Sequence, residues 1–279
     1  MNIKKIAFKI GALILNILVM ILSLSAIFPI VWLIYSSLKT EREFALSIAS
    51  LPAHPTFENY VKAIKTAKMH IYFFNSLFTT VISVILIVIF SFIVGYFFAR
   101  YQFKGRTLLY TMFLSGMLIP IHALLVPLFV QFRVFGLLDR RITLIFPYVG
   151  LGLPMAIFLM ENFVRDIPHE IEEAAYIDGA TLTQTLFRII LPICKPIIST
   201  VVILSALSTW NEFSFALVLI KSDALKTLPV GLTNFSSQYT VKYTQLMAAI
   251  TIAILPVIIT YLAFNKKVIQ GLVAGAVKG

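Results

Sequence analysis

Six apolar runs constrain this chain more than any other feature: 10–35, 73–98, 108–130, 142–163, 196–220 and 246–264. Each is near the ~20 residues with which an α-helix crosses ~30 Å of hydrocarbon. Strands of a membrane barrel would alternate polar and apolar positions over ~10 residues. Runs such as Val81-Ile82-Ser83-Val84-Ile85-Leu86-Ile87-Val88 are apolar on every side instead. The expected fold class is therefore all-α, a polytopic membrane protein with six transmembrane helices. Composition agrees, because 59% of the residues are hydrophobic and 13% charged, whereas soluble domains carry about 25% charge.

Lys4, Lys5 and Lys9 precede the first run as they would a signal peptide. That run is far longer than a signal core of ~7–15 residues and has no clear A-x-A cleavage site, so it reads as a retained helix. The single cysteine, Cys194, excludes an intrachain disulfide framework and a cysteine metal cluster. No linker rich in Gly, Pro or Ser and no fixed-period repeat divides the chain, so 1–279 reads as one membrane domain. With the N-terminus inside, inner segments hold Lys4, Lys5, Lys9, Arg100, Lys104, Arg106, Arg165, Arg188, Lys195, Lys266, Lys267 and Lys278. That is twelve of the 23 basic residues, a weak bias, which the short basic loop 100–106 and the N-terminal lysines tip inward. The net charge of +11 is spread over both faces. It suits anionic lipid headgroups and leaves no localised footprint for nucleic acid.

Three connections are long, 36–72, 164–195 and 221–245; in this topology the second is cytoplasmic. Loop 164–195 reads as helix, turn, helix. Asp166 can cap the first helix, Pro168 fits an early helical position, and Glu170, Glu172 and Glu173 suit the positive end of the helix dipole. Gly179 can end that helix in the left-handed conformation, and a second amphipathic stretch runs from Thr181 to Ile190, stopped by Leu191-Pro192. Within the spans, Pro29, Pro120, Pro127, Pro147, Pro154 and Pro256 read either as ordinary kinks or as broken helices lining a path.

The same loop contains Glu173-Ala174-Ala175, three residues, Asp178 falling last among them, then Gly179, nine residues, Ile189, one residue and Leu191-Pro192. This pattern resembles the EAA signature of ABC importer permeases at every defined position. Other stretches are similar to the maltose-type carbohydrate branch: Glu58-Asn59-Tyr60, Asn75-Ser76, Arg100 with Phe103-Lys104-Gly105-Arg106, and Trp210-Asn211-Glu212-Phe213. The Gly-rich end, Gly271 to Gly279, resembles the tail of the subunit that pairs with a second, longer permease. The resemblance implies a type I importer permease fold with a cytoplasmic tail 265–279, placed in a bacterial cell membrane with both termini cytoplasmic. It implies a coupling helix that docks in a cleft of a cytoplasmic ATPase, with Glu173, Ala174, Ala175, Asp178, Gly179, Ile189, Leu191 and Pro192 as the coupling residues. Ala174 and Ala175 lack bulk and would allow close approach; Glu173 offers a charge to a basic partner or to its own first turn.

The sequence has no G-x-x-x-x-G-K-[ST] phosphate loop, so ATP is not expected to bind this chain by that mechanism and no cofactor is expected on it; the resemblance implies two separate ATPase subunits that use ATP with Mg. Six helices make half of a pore. A second, different permease subunit and an extracytoplasmic solute-binding protein complete the implied complex, for a sugar or oligosaccharide, or alternatively a polyol or glycerol phosphate.

Glu212 lies sixteen residues past Pro196, about 24 Å along a continuous helix. A carboxylate at that depth should face the bundle interior or water. Three roles are open to it: a hydrogen bond to a neighbouring helix, an outer gate or binding-protein contact, or contact with sugar. Trp210 and Asn211 beside it make a plausible sugar-stacking set. His122, between Pro120 and Pro127, reads as a packed, hydrogen-bonded residue and a weaker path candidate, as does Gln131. Two rivals of other classes fare worse. An intramembrane enzyme lacks its residues, since Asp139, Asp166, Asp178 and Asp223 fall in loops and no H-E-x-x-H pair occurs. A stand-alone secondary transporter would need coupling charges near the membrane centre, and Glu212 is the one clear intramembrane acid.

Overall fold

The computed structural model describes residues 3–65, 67–235 and 241–276, with side chains at 9, 11–65, 67–235 and 241–262. Among the described residues there are helices and no β-strand. In chain order the principal helices are α1 (Ile3–Ser37), α2 (Glu41–Leu46), α3 (Glu58–Lys65), α4 (Met69–Arg100), α5 (Arg106–Ser115), α6 (Leu125–Val134), α7 (Ile145–Arg165) and α8 (Glu170–Ile177). They continue with α9 (Leu182–Ile193), α10 (Lys195–Trp210), α11 (Ser214–Leu219) and α12 (Tyr243–Ala276). Among the described residues four segments are long and apolar enough to span a membrane, in α1, α4, α7 and α12, and two bent pairs, each counted as one span, raise the number to six.

The bent pairs correct the runs expected from hydropathy. Run 108–130 is not one helix: Arg106–Leu118 and Ile121–Val134 meet at 98°. Pro120 stands in the break, where its fixed φ and missing N–H cannot continue a helix. Run 196–220 is likewise divided, because α10 ends at Trp210 and α11 begins at Ser214. The helical stretch after Gly179 does not stop at Leu191-Pro192. It runs to Ile193 through a π-helical segment, Thr185–Ile190, and then turns by 74° into α10. The wide turn falls just before Pro192, which has no N–H to close an ordinary α-helical bond. Asp166 is the C-cap of α7, and the N-cap of α8 is His169 with no side-chain bond. The last helix continues to Ala276 where a tail from 265 was expected; residues 277–279 lie outside the described residues.

By compactness the chain divides into two units, Met1–Met69 with Leu232–Ile254, and His70–Gly231 with Leu255–Gly279. In the first, hydrogen bonds close the end of α1 against the start of α12. Asn59 Nδ2 donates to Ser37 O at 2.8 Å and Lys39 O at 2.7 Å, while Glu41 Oε1 accepts from the backbone and hydroxyl of Thr244 at 3.0 and 2.8 Å. Lys39 is fully buried, its ammonium held by the carbonyls of Ser47 and Ile48.

In the second unit α7 is central. Its Ala156, Met160 and Val164 pack with Ile87, Phe92 and Tyr96 of α4 and with Leu186, Ile190, Ile197 and Val201 of α9 and α10. Its Tyr148, with the preceding Leu144, joins Phe132 of α6 and Phe215, Ala216 and Leu219 of α11. Helices α4 and α7 touch backbone to side chain at Gly95, where an added Cβ would lie 2.8 Å from Met160 Cβ and 3.1 Å from Glu161 N. Small residues permit such approaches in lipid, where helix association rests on packing. Gly95→Val should therefore destabilise the protein by roughly 1–3 kcal/mol through overpacking. Gly150→Ala, where an added Cβ meets nothing within 4 Å, should be neutral or mildly stabilising. Thermal unfolding in detergent measures both, and equal effects would refute the close packing.

Candidate functional site

Loop 164–195 is built around one turn. Helix α8 ends with Gly179 N–H donating to Tyr176 O at 3.0 Å and Ala180 N–H donating to Ala175 O at 2.9 Å. This paired closure requires a left-handed residue, and Gly179 has φ +81°. The next helix starts immediately with a capping box: Thr181 Oγ1 accepts from Gln184 N–H at 3.3 Å and Gln184 Oε1 accepts from Thr181 N–H at 2.8 Å. That box was legible in the sequence as Thr181-Leu182-Thr183-Gln184, the spacing T-x-x-Q.

The coupling residues expected from the motif divide between two faces. Glu173, Ala174, Asp178, Gly179 and Pro192 are exposed, whereas Ile189 and Leu191 are half-buried. Ala175 is buried against its own chain, so its small size serves internal packing and leaves Ala174 as the open alanine. Sequence reasoning missed Tyr176 and Ile177, which are 66% and 87% exposed at the end of α8. Two large apolar side chains after an Ala-Ala pair and before a turn were the available signal.

The inner face of α8 is held by charge. Glu172, not Glu173, meets Arg100 Nε at 2.5 Å through Oε1 and accepts from the Tyr96 hydroxyl at 2.8 Å through Oε2. Arg100 Nη2 also donates to Ile167 O at 2.8 Å. A second acid inside the spans corrects the view that Glu212 stands alone. Glu161 of α7 is fully buried, pairs with Arg106 and Arg165, and accepts from the Tyr110 hydroxyl at 3.1 Å. A glutamate in an apolar run with an arginine four residues on is its sequence signature.

The break at 211–213 explains Glu212. Its Oε1 accepts from Phe215 N–H at 2.7 Å and its Oε2 from Ala216 N–H at 3.2 Å, filling the free donors at the start of α11. Tyr148 of α7 donates to Oε2 at 2.7 Å. Glu212 and Tyr148 also line a cavity of about 190 Å³ with Ser205, Ser208, Thr209 and Gly152. Trp210, Asn211 and His122 do not line it. Trp210 is buried edge-on against Phe73, centroids 5.6 Å apart, so its face is not offered to a sugar. Asn211 Nδ2 turns back to Leu207 O at 2.9 Å. His122, on the one-turn helix that follows the bend at Pro120, is exposed rather than packed, and Gln131 is exposed as well.

Residues 88–273 match the model of the binding-protein-dependent transport system inner membrane component. The chain belongs to that family. It is 39% identical over 252 residues to a putative ABC transporter permease protein, ORF2, of Caldicellulosiruptor sp. strain Rt8B.4, covering 90% of this chain and 91% of that one. To the sulfoquinovosyl glycerol transport system permease protein SmoH of Agrobacterium fabrum it is 35% identical, covering 93% and 91%. A chain from the crystal structure of a bacterial ABC transporter that imports the acidic polysaccharide alginate superposes with TM-score 0.84 at 26% identity, covering 93% and 97%. The protein is thus an ABC importer permease with the type I permease fold, a transport subunit and not an enzyme.

Removing the carboxylate of this permease at position 212 should cost more than removing its partner. Tyr148→Phe loses one hydrogen bond, about 0.6–1.7 kcal/mol in a membrane helix pair, whereas Glu212→Ala also strands two backbone donors. Glu212→Gln, which keeps an acceptor for Phe215, should fall between them in thermal unfolding. A Glu212→Ala protein as stable as wild type would remove the latch.

Proposed function

We propose that this permease forms half of the membrane path of a carbohydrate importer and couples to its ATPase through loop 164–195. The observation that carries the coupling is the exposed pair Tyr176 and Ile177, the latter one helical turn from the open Ala174, just before a turn fixed by Gly179. Two adjacent apolar side chains of that size, this far exposed at a helix end, mark a contact surface. A cleft on a soluble ATPase would take Ile177 and Tyr176 as anchors, with Glu173 and Asp178 at the rim. The names of the family relatives support a sugar or sugar derivative as the solute.

The complete transporter contains, in this reading, a second permease, two ATPase subunits that bind ATP and Mg, and a solute-binding protein on the outer face. The chain sits in the bacterial inner membrane with both termini cytoplasmic, as the basic loop 100–106 favours. Closure of the ATPases on ATP supplies the bias that moves the permease pair between inward- and outward-facing states. The cavity at Glu212 and Tyr148 is the candidate stretch of path on this subunit, its serine and threonine hydroxyls suited to sugar hydroxyls.

Two measurements test this. Gly179→Val forces a β-branched residue to a positive φ, a penalty of roughly 1–2 kcal/mol or more, although an added Cβ meets nothing within 4 Å. It should leave the permease inserted while ATPase association falls or hydrolysis runs without transport, and Ile177→Asp and Ala174→Trp should do likewise. Wild-type transport by all three, with the ATPase bound, would show that the loop is not the coupling element. Thr183→Cys, on the exposed side of α9, should react with an impermeant thiol reagent only from the cytoplasmic side; labelling from outside only would reverse the topology.

A further inference from the structure

The turn between α4 and α5 carries two arginines whose charges suggested a cytoplasmic location. Neither is a free surface charge. Arg106 donates through Nε and Nη2 to Phe98 O, at 2.8 and 2.5 Å, and through Nη2 to the buried Glu161 at 3.3 Å. This ties the last turn of α4 to α7. The Arg100 side chain is 4% exposed, and its guanidinium divides between Glu172 of α8, the carbonyl of Ile167 in the α7–α8 connection, and His169 Nε2 at 3.4 Å. Tyr96, one turn before Arg100 on the same face of α4, takes the other oxygen of Glu172.

Helix α8 has eight residues and no side-chain cap at its N-terminus. A helix of that length is marginal by itself, so its orientation comes from what it rests on. It rests on the packing of Ile171 against the core of the second unit, on the burial of Ala175 and on the ion pair at Glu172. The apolar contact is non-directional. A guanidinium with three partners, two of them on the α7–α8 connection and one on α8, sets both the angle and the position of the helix.

We infer that Arg100, Glu172 and Tyr96 form a clamp that makes α8 move with the end of α4, so that force applied to the coupling loop enters the membrane through α4 as well as along the chain into α7 and α9. Arg100, Glu172 and Tyr96 are positioning residues: they hold the inner side of α8, while Ala174, Tyr176 and Ile177 are exposed. The clamp rests on the reading that α8 docks on an ATPase, and it adds which transmembrane helix receives the motion and through which atoms. An α8 docked but unclamped should bind its partner, permit hydrolysis, and transmit little of it.

The test uses the whole importer, both permeases, ATPase and binding protein, reconstituted in liposomes, and measures ATP hydrolysed per solute imported together with the ATPase retained on the purified permeases. Arg100→Gln and Glu172→Gln should keep the ATPase bound and raise ATP used per solute on the order of tenfold, within the usual range of couplings between sites. The double variant should fall short of the sum of the two single effects, because both remove the Arg100–Glu172 pair while each also loses partners of its own. The reversal Arg100→Glu with Glu172→Arg should recover part of the ratio. Tyr96→Phe, which keeps the ring and removes one bond, should give a smaller rise and serves if the arginine variants do not insert. A wild-type ratio in every variant that assembles, or additive effects of Arg100→Gln and Glu172→Gln, would overturn the clamp. If Ile177→Asp and Ala174→Trp remain coupled, the docking reading fails instead; if they uncouple while Arg100→Gln does not, the clamp alone fails.

Discussion

Backbone polar groups have no water to bond in hydrocarbon, so groups freed where a helix stops inside the apolar runs need partners within the protein. That requirement accounts for several of the polar residues at or near the spans. Glu212 fills the first N–H groups of α11, Arg106 takes the carbonyl of Phe98 near the end of α4, and Asn59 takes the carbonyls of Ser37 and Lys39 after α1. Asn75 donates to the carbonyls of Ala224 and Lys226, and Ser76 Oγ accepts from Leu228 N–H, fastening the 223–228 connection to the first turns of α4. A membrane protein with two broken spans needs more such latches than a bundle of straight helices.

The same latches explain the short stretches by which the chain resembles carbohydrate permeases. Asn59, Asn75-Ser76, Arg106 and Glu212 each close a helix end, and Trp210 packs on Phe73. Their identities follow from hydrogen-bond geometry within the chain, without any call on a solute. Function then concentrates where the fold leaves groups unengaged. On α8 and its closing turn these include Glu173, Ala174, Tyr176, Ile177 and Asp178, while the neighbouring Glu172 and Ala175 are turned inward. Within one helix, buried and exposed positions thus separate residues that anchor the loop from residues that can meet a partner.

The broken spans give the second unit its form. The bend at Pro120 and the break at 211–213 bring α6 and α11 against the first half of α7, and the π-helical turn before Pro192 brings α9 against its second half. The cavity at Tyr148 and Glu212 lies between these two packings. Its polar wall is made by a helix end and its apolar wall by α7, so a path-lining surface arises where the backbone is interrupted rather than where a span is polar throughout.

Local chemistry sufficed for the helical class, the six apolar runs, the glycine turn of loop 164–195 and the family pattern, because each depends on residues adjacent in sequence: run length against bilayer thickness, a positive φ that only glycine adopts freely, a motif at fixed spacing. Hydropathy could not show that runs 108–130 and 196–220 are broken, since a window averages over a bend and apolar residues lie on both sides of it. Nor could it separate Glu172 from Glu173, or recognise Glu161 as a buried acid. Those distinctions depend on Arg100, Arg106 and Tyr110, which lie 51 to 72 residues away in sequence and meet their carboxylates only after α4, α5 and α7 have packed. The sequence by itself determined which segments enter the membrane and which loop carries the motif; the tertiary structure decided which charges are anchors and which are free, because an ion pair is set by distance in space and sequence records only order.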